Sequence, residues 1–544
     1  MAAMRVWKEF SVFGLLVGTL FFSASLTPSL LPRPVIAQGV VSGLSLAAGY
    51  GVGVLVKWLW AYLELPMLRG RARRVMILLA AAVCALIAIV FLRQASDWQD
   101  SIRVLMDLEP VENTRALVVG GIAILLFSAL LLVAKAFRVT FQSLSLRFRR
   151  FIPRRVANVI GGLIAVVLFW SLIEGLLFSY VLRAADASFQ QFDALIDPEL
   201  DPPTDPIKTG SQESLLGWTD LGRQGRRFVA LGPTAEELGA FLGEEVPEPI
   251  RVYVGLNSAQ TAEERARLAL EELQRTRAFE RSVLIIITPT GTGWVDPDAL
   301  DTVEYLHRGD IASVAVQYSY LTSALSLLVE PEYGVETAAA VFNEIYQYWR
   351  ELPEETRPRL YLHGLSLGAL HSDRSFDIYD VVGNLFHGAL WSGPPFRSET
   401  WRSATARREP GSPAWLPRFR DSSIIRFANQ QRGLEIPDAT WGALRIVFLQ
   451  YASDPITFFE PEALWREPEW MADPRGPDVS PDLRWFPIVT MLQLAADMVV
   501  AGRTPKGYGH DYAPEHYIDA WIAVSEPSGW PDEEVARLKA LFSN

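Results

Sequence analysis

Long apolar runs fill the first third of the chain and alternate with short polar segments. A helix needs roughly 20 residues to cross the hydrocarbon core of a membrane. Runs such as Val75–Leu92 also lack the polar stripe that a buried helix of a soluble protein would carry. The runs are approximately Phe10–Leu26, Val35–Leu55, Val75–Leu92, Ala116–Ala134 and Val156–Leu182. This pattern predicts an α-helical membrane domain of about five transmembrane helices over residues 1–183.

Two of these runs leave alternatives open. The first follows Arg5 and Lys8 and ends near Ser23-Ala24-Ser25, which is also the pattern of a cleaved signal peptide. The last contains Glu174, which is either a functional group or an acid solvated at the outer interface. We assign Glu174 no role, and cleavage of the first run would leave the other spans unchanged.

The second half shows short β-branched runs that alternate with helical segments. The predicted strands are Ile250–Val254, Val283–Thr288, Ser313–Gln317, Arg359–Leu362, Ala389–Trp391 and Arg445–Gln450. Two intervening segments open with capping boxes, at Thr234–Glu237 and Thr261–Glu264. The alternation predicts a mostly parallel sheet with helices on both faces. A segment rich in Asp and Pro precedes it, so we predict a linker over residues 184–216 and a second domain over residues 217–544.

Charge divides the chain at the same place. Residues 1–186 carry 19 Lys and Arg against 9 Asp and Glu, whereas residues 187–544 carry 31 against 53. The acidic half has no basic stripe interleaved with aromatic residues, so we expect no nucleic acid partner. The only cysteine, Cys84, lies in an apolar run, which excludes disulfides within one chain and thiolate metal sites. The oligomeric state stays open.

A catalytic serine is indicated where the strand pattern of Arg359–Leu362 leads into a G-x-S-x-G sequence. Gly364 and Gly368 flank Ser366, and a helix start rich in small residues follows. The glycines permit a tight turn that exposes the serine hydroxyl at the carboxyl edge of the sheet, where a helix amino terminus favours developing negative charge. We predict that Ser366 is the nucleophile of an α/β-hydrolase domain. The alternative is a glycine-rich turn with an idle serine.

A nucleophilic serine needs a histidine as base and an acid that orients the histidine, which follow in the order Ser, Asp, His in this fold. His510 lies in a glycine-flanked loop near the carboxyl end, and His516, in an apparently helical segment, is the next candidate. Asp454 directly follows the last predicted strand, and Asp478 is the runner-up. The alternative for Asp454 is an Asx turn before a proline.

The tetrahedral intermediate of acyl transfer needs two hydrogen-bond donors for its oxyanion. One is the amide after the nucleophile, here Leu367, and the other comes from the loop after an earlier strand. The glycine-rich loop Thr288–Trp294 offers Thr290 or Gly291 as that donor, or is only a tight turn. No metal-ligand cluster or phosphate-binding loop is evident in the sequence, so we expect neither a metal nor a cofactor.

Four long segments are distinctive in sequence. They are Ser25–Pro34, Thr288–Pro297, Gln317–Leu321 and Arg475–Pro481. With them, nearly the whole chain resembles the bacterial α/β-hydrolases that have a multi-span amino-terminal membrane domain and a carboxyl-terminal catalytic domain. That family usually has an acidic residue before the serine, where this chain has Leu365, a difference that concerns substrate preference more than the nucleophile. The resemblance implies a hydrolase fold and no particular substrate.

These residues predict a membrane-anchored serine hydrolase that cleaves an ester, either a small molecule or a lipid, through an acyl-enzyme. An acyltransferase would use the same three residues with another acceptor, and a catalytically inert scaffold is the third alternative. We predict that the tryptophans between the elbow and His510 belong to a lid or acyl groove that faces the membrane interface and its lipids. The alternative is that they simply complete the core of a large domain. They are Trp391, Trp401, Trp415, Trp441, Trp465, Trp470 and Trp485.

Loop charge predicts the orientation in the cytoplasmic (inner) membrane. Arginines crowd residues 69–74 and, with a lysine, residues 135–155, whereas acidic residues dominate residues 97–112. Because Lys and Arg are retained in the cytoplasm, the domain after Leu182 should be extracytoplasmic.

A pair of reporter fusions tests this orientation. Alkaline phosphatase fused after Leu182 should be active, and a fluorescent protein inserted in the Arg147–Arg155 loop should fluoresce, because these sites lie on opposite sides of the membrane. Fluorescence from a fusion after Leu182, together with an inactive phosphatase there, would reverse the predicted orientation.

Overall fold

The computed structural model describes residues 11–66, 70–111, 116–171, 200–320 and 331–543. Its described residues form two compact units. The helical unit is drawn from Met1–Ala184, Glu460–Met471 and Pro477–Val500, and the sheet unit from Ala185–Phe459, Ala472–Gly476 and Ala501–Asn544. The carboxyl-terminal half of the chain therefore contributes two segments to the unit that contains the membrane helices.

The helices and strands are numbered in chain order. The helices are α1 Val12–Ala24, α2 Val35–Tyr62, α3 Gly70–Leu105, α4 Ala116–Phe148, α5 Arg154–Ser171, α6 Gly222–Ala230, α7 Ala235–Leu242, α8 Ala262–Arg275, α9 Pro297–Leu306, α10 Pro331–Glu351, α11 Leu367–Asp373, α12 Ile378–Val381, α13 Glu399–Ala406, α14 Pro455–Phe458, α15 Val489–Val500, α16 Pro514–Ser525 and α17 Asp532–Phe542. The strands are β1 Ile250–Val254, β2 Val283–Thr288, β3 Ile311–Val316, β4 Arg359–Leu365, β5 Gly388–Ser392, β6 Ile425–Ala428 and β7 Arg445–Leu449.

Helices α2 to α5 are long and apolar enough to cross a membrane, so the protein is membrane-associated. Helix α1 differs from the predicted first span, because its 13 residues cover only about 20 Å of a core about 30 Å thick. The hydroxyls of Ser25 and Thr27 bond to carbonyls of its last turn, and Pro28 follows. The described part of the chain thus holds four candidate spans rather than five. Residues 172–182 of the predicted fifth span, with Glu174, lie outside it.

The sheet unit is built on a sheet whose seven described strands are all parallel, in the order β1-β3-β2-β4-β5-β7-β6. Every residue of β1, β2, β3, β5 and β6 is buried. Because successive side chains point to opposite faces, both faces of the sheet are covered. The predicted parallel α/β architecture is confirmed.

Strand β6 was not predicted. It has only four residues and lies at the edge of the sheet. Arg426 interrupts its apolar pattern, and the guanidinium reaches back to the carbonyls of Ser422, Leu434 and Ala439. The strand therefore depends on hydrogen bonds with the loops that flank it and on its pairing with β7, which its own apolar pattern does not reveal.

Local signals at two helix starts are confirmed. Thr234 and Glu237 form a reciprocal capping box before α7, and Thr261 and Glu264 form another before α8. These bonds satisfy amides that a helix leaves without intrahelical partners.

A buried ion pair fixes α9 against β1. Arg251 of β1 donates to both oxygens of Glu304, at 2.8 and 2.6 Å, and to Asp301 at 2.6 Å. Burial raises the pKa of Glu304 to about 7, although the Arg251 charge opposes this shift. Since α9 starts soon after β2 ends, the loop between them is held at both ends.

Candidate active site

Ser366 lies on a strained turn between β4 and α11. Its φ of 57° and ψ of −125° fall in a region that non-glycine residues rarely adopt. Such strain costs about 1–3 kcal/mol and persists only where the surrounding structure imposes it. Here the Ser366 amide donates to the Ser392 carbonyl at 2.9 Å, and the amides of Ala369 and Leu370 donate to the Ser366 carbonyl. The turn is thus tied both to β5 and to the first turn of α11.

The two glycines around Ser366 are required by close packing. A Cβ on Gly364 would lie 2.4 Å from the Gly368 carbonyl carbon, and a Cβ on Gly368 would lie 2.1 Å from the Thr288 carbonyl oxygen. Any side chain at either position would force the turn open. The second contact also brings the elbow directly against the end of β2, where the Thr288–Trp294 loop begins.

Asp454 and His510 form a bonded pair. Asp454 follows β7 and is fully buried, and its Oδ2 lies 2.7 Å from His510 Nδ1. Tyr512 donates to the same Oδ2 at 2.7 Å, Thr457 donates to it at 3.2 Å, and the Ile456 amide donates to Oδ1 at 2.8 Å. With the Asp454 carboxyl oxygen as the acceptor, His510 donates through Nδ1 in this bond. Its Nε2 is left free to act as a base.

The His510 loop is held beside the elbow. Gly507 and Gly509 adopt φ values of 90° and 59°, and the Gly509 amide donates to the Ser453 hydroxyl at 2.9 Å. The ring packs so closely on Gly393 that a Cβ there would lie 2.5 Å from His510 Cε1. Gly393 directly follows Ser392, the residue that accepts from the Ser366 amide. Ser366, Asp454 and His510 therefore meet at the carboxyl edge of β4, β5 and β7.

Within the described residues, His510 Nε2 is enclosed and makes no hydrogen bond. No hydrogen bond therefore joins Ser366 to His510 Nε2 in the described part of the chain. Such contacts often tighten only when substrate is present.

The two runners-up, His516 and Asp478, and the buried His363 of β4 lie in other surroundings than the Asp454–His510 pair. The Tyr451 hydroxyl accepts from the Ala513 amide at 3.0 Å and meets His516 Nδ1 at 2.6 Å, while burial lowers the pKa of His516. His363 packs on aromatic rings of α16, and burial lowers its pKa to about 4. Asp478 is buried in the helical unit. Neither runner-up contacts the Asp454–His510 pair through a hydrogen bond among those described, and the catalytic roles of His510 and Asp454 stay a prediction.

The predicted oxyanion loop is an ordered turn. The amide and hydroxyl of Thr290 both donate to the Trp294 carbonyl, at 2.9 and 3.2 Å. Tyr253 braces the turn by donating to the Gly293 carbonyl at 2.7 Å. The Thr290 amide is therefore already engaged within the turn. The amide of Leu367, at the start of α11, has no acceptor among the described residues, and the role of Gly291 stays a prediction.

Sequence reasoning did not find Tyr512, although it bonds the same oxygen as His510. It lies two residues after the histidine, and a buried tyrosine hydroxyl needs a hydrogen-bond partner. The need of a buried tyrosine hydroxyl for a partner was the only signal in the sequence, and it does not identify Asp454 as that partner. Gly393 was also missed, because its closeness to His510 arises from strand order.

A second buried carboxylate lies just after the oxyanion loop. Asp296 caps α9 by accepting from the Asp298 amide at 3.1 Å, and it accepts from the Tyr517 hydroxyl at 2.9 Å. Burial, with a smaller contribution from the nearby Asp298 charge, raises the pKa of Asp296 from 3.8 to about 7. This carboxyl therefore stays protonated in the folded protein at mildly acidic pH.

Comparison with known families matches almost all of the chain. A model described as "Alpha/beta-hydrolase family" matches residues 250–538, and one described as "Alpha/beta-hydrolase family N-terminus" matches residues 26–233. No curated protein and no solved structure matches.

The Tyr512 hydroxyl should matter for reactivity at Ser366. Tyr512→Phe should slow covalent modification by a fluorophosphonate by one to two orders of magnitude, since a hydrogen bond to a charged group contributes about 1.5–3 kcal/mol. Tyr346→Phe is the control, because that hydroxyl donates to the Asn384 carbonyl at 2.8 Å, outside the site. Equal modification rates in the two variants would show that Tyr512 does not orient the Asp454–His510 pair.

Asp296 should make stability depend on pH. Between pH 4 and about 7 the unfolded chain ionises this carboxyl while the folded protein keeps it protonated, so stability falls by about 1.4 kcal/mol per pH unit. Above pH 7 the carboxyl is ionised in both the folded and the unfolded chain, so the loss of stability no longer changes with pH. Asp296→Asn cannot ionise; its Oδ1 still accepts from the Asp298 amide, and its Nδ2 would donate to the Tyr517 hydroxyl oxygen in place of the present bond. The unfolding temperature of this variant should therefore rise relative to that of the wild type as pH rises from 4 to 7. A constant difference between the two proteins would contradict this account.

Proposed function

The chain belongs to the alpha/beta-hydrolase family, and on that premise we propose that it is a membrane-anchored serine hydrolase that cleaves an ester bond. The observation that carries the proposal is the bonded pair of Asp454 and His510 beside the strained turn of Ser366. This arrangement supplies a nucleophile, a base and an orienting acid at one edge of the sheet.

In the proposed reaction, His510 Nε2 removes the proton of the Ser366 hydroxyl as Oγ attacks the ester carbonyl. Asp454 stabilises the resulting imidazolium through its bond to Nδ1. The Leu367 amide donates to the oxyanion. The carbon–oxygen bond to the alcohol then breaks, the alcohol takes the proton from His510, and an acyl group remains on Ser366. A water then attacks the acyl carbon while His510 takes one of its protons. The bond between that carbon and Ser366 Oγ breaks, Oγ takes the proton back from His510, and the free acid leaves.

We further propose that the substrate is an acyl ester of a membrane lipid on the extracytoplasmic side. One transmembrane helix already anchors a protein almost irreversibly, so four candidate spans exceed what anchoring needs. Trp465, in the helical unit, exposes 63% of its surface, which suits an indole at a membrane interface. The tryptophans that complete the core instead are Trp391, Trp401, Trp415 and Trp470, which are all buried.

Fluorophosphonate labelling of the purified full-length chain tests the proposal. The probe should label the wild type and the Ser313→Ala control, which removes a buried hydroxyl of β3, but not Ser366→Ala. His510→Ala should lower turnover by several orders of magnitude, because the general base is lost, while His516→Ala keeps most of it. With esters of graded length, turnover should favour long acyl chains.

Two results would contradict the proposal. Labelling that persists in Ser366→Ala would show that Ser366 is not the nucleophile. A preference for short soluble esters would contradict the proposed lipid substrate but not the proposed hydrolase activity.

A further inference from the structure

Two of the distinctive segments, Thr288–Pro297 and Gln317–Leu321, meet at the carboxyl edge of the sheet. The first contains the predicted oxyanion loop and begins at the last residue of β2, whereas Gln317 directly follows β3. Strand β3 pairs with β1 on one side and with β2 on the other. A residue that leaves the carboxyl end of β3 can therefore reach the loops after both neighbouring strands.

The side-chain amide of Gln317 joins these loops. Gln317 is 1% exposed. Its Nε2 donates to the carbonyls of Thr292 and Ser319 at 3.3 and 3.1 Å, and its Oε1 accepts from the Leu256 amide at 3.2 Å. Its backbone amide donates to the Val254 carbonyl at 2.9 Å and so continues the pairing of β3 with β1. One side chain thus ties the oxyanion loop to the ends of β1 and β3.

A second side chain holds the next carbonyl of the oxyanion loop. The Tyr253 hydroxyl of β1 donates to the Gly293 carbonyl at 2.7 Å. Its ring packs so closely on α6 that a Cβ on Gly225 would lie 2.3 Å from Tyr253 Cδ1. A Cβ on Gly293 would lie 2.4 Å from the Tyr253 hydroxyl oxygen and 2.8 Å from Gln317 Cγ. Both side chains therefore bear on the same glycine.

The loop needs such restraints because its glycines make it flexible. Gly293 adopts a φ of 82°, and a glycine changes between backbone conformations at little cost. The start of the loop touches the elbow, since Gly368 packs against the Thr288 carbonyl. Rotation of a peptide near an oxyanion would replace an amide, which donates to it, with a carbonyl oxygen, which repels it. Hydrogen bonds to the Thr292 and Gly293 carbonyls oppose that rotation.

We propose that Gln317 and Tyr253 are positioning residues: by holding the carbonyls of Thr292 and Gly293, they keep the oxyanion loop in the conformation that receives the oxyanion. This inference rests on the proposed function, since it requires an oxyanion to form at Ser366. Loss of one oxyanion donor lowers turnover by about 10²–10³. A loop that leaves the right conformation part of the time should therefore weaken oxyanion binding by about tenfold.

Two inhibitors with one carbon skeleton test the inference in the purified full-length chain. Ser366 Oγ adds to the carbonyl carbon of an alkyl trifluoromethyl ketone, its proton passes to His510, and the carbonyl oxygen becomes an oxyanion. The corresponding secondary alcohol carries the same alkyl chain but cannot form this charge. The affinity of each is measured as the concentration that halves the rate of fluorophosphonate labelling. The alkyl chain matches the ester that the wild type hydrolyses fastest.

Gln317→Met keeps the length of the side chain but removes its hydrogen bonds. It should weaken binding of the ketone by about tenfold and leave binding of the alcohol unchanged. Tyr253→Phe removes only a hydroxyl and should show the same pattern with a smaller change, so it decides the question if Gln317→Met does not fold. Tyr346→Phe is the matched control, because its hydroxyl donates to a carbonyl outside the site, and it should change neither affinity.

The other outcomes are equally decisive. Equal weakening of the ketone and the alcohol would overturn the inference, because the two residues would then shape the pocket and not the oxyanion site. Unchanged binding of the ketone in the folded variants would overturn it as well. A wild type that the fluorophosphonate does not label would instead defeat the proposed function, and the inference with it.

Discussion

The carboxylate of Asp454 has no contact with solvent, and a buried charge is stable only when hydrogen-bond donors surround it. This requirement organises the site. The donors come from α14, which Asp454 caps, and from the loop that carries His510 and Tyr512. Because the donors on that loop are needed to satisfy the charge, the imidazole is held in one orientation and one tautomer. The geometry of the base is thus a consequence of burying the acid.

Strand order decides where this carboxylate lies. The chain leaves β5, forms β6 at the edge of the sheet, and then returns to place β7 between them. Asp454 therefore emerges next to the end of β5, where Gly393 leaves room for the His510 ring and Ser392 holds the Ser366 amide. If β6 and β7 exchanged places, the acid would be one strand farther from the nucleophile. The short edge strand, built around the interactions of Arg426, thus matters for the site.

The chain between Asp454 and His510 enters the helical unit twice. This explains why so long a sequence separates the acid from the base. A buried ion pair is a weak source of stability, since desolvation offsets much of the attraction. Within the helical unit, Arg33 Nε lies 2.7 Å from Asp497 Oδ1, and Asp497 also accepts from the Ser29 hydroxyl and the Leu30 amide, so these contacts favour one arrangement of the segment.

The sequence by itself determined the features that depend on neighbouring residues. Apolar run length identified the membrane helices, β-branched alternation identified most of the strands, and the glycines around Ser366 indicated the turn, because each signal is contained within about 20 residues. Tertiary structure alone decided the early end of α1, the edge strand β6, the bond from Tyr512 to Asp454 and the engagement of the Thr290 amide within its own turn. Those features depend on partners that the fold brings together, and a hydrogen bond across a fold leaves no periodic trace in the chain. The segment Ser25–Pro34 shows the difference, since its sequence is distinctive but its partner, Asp497, lies more than 460 residues away.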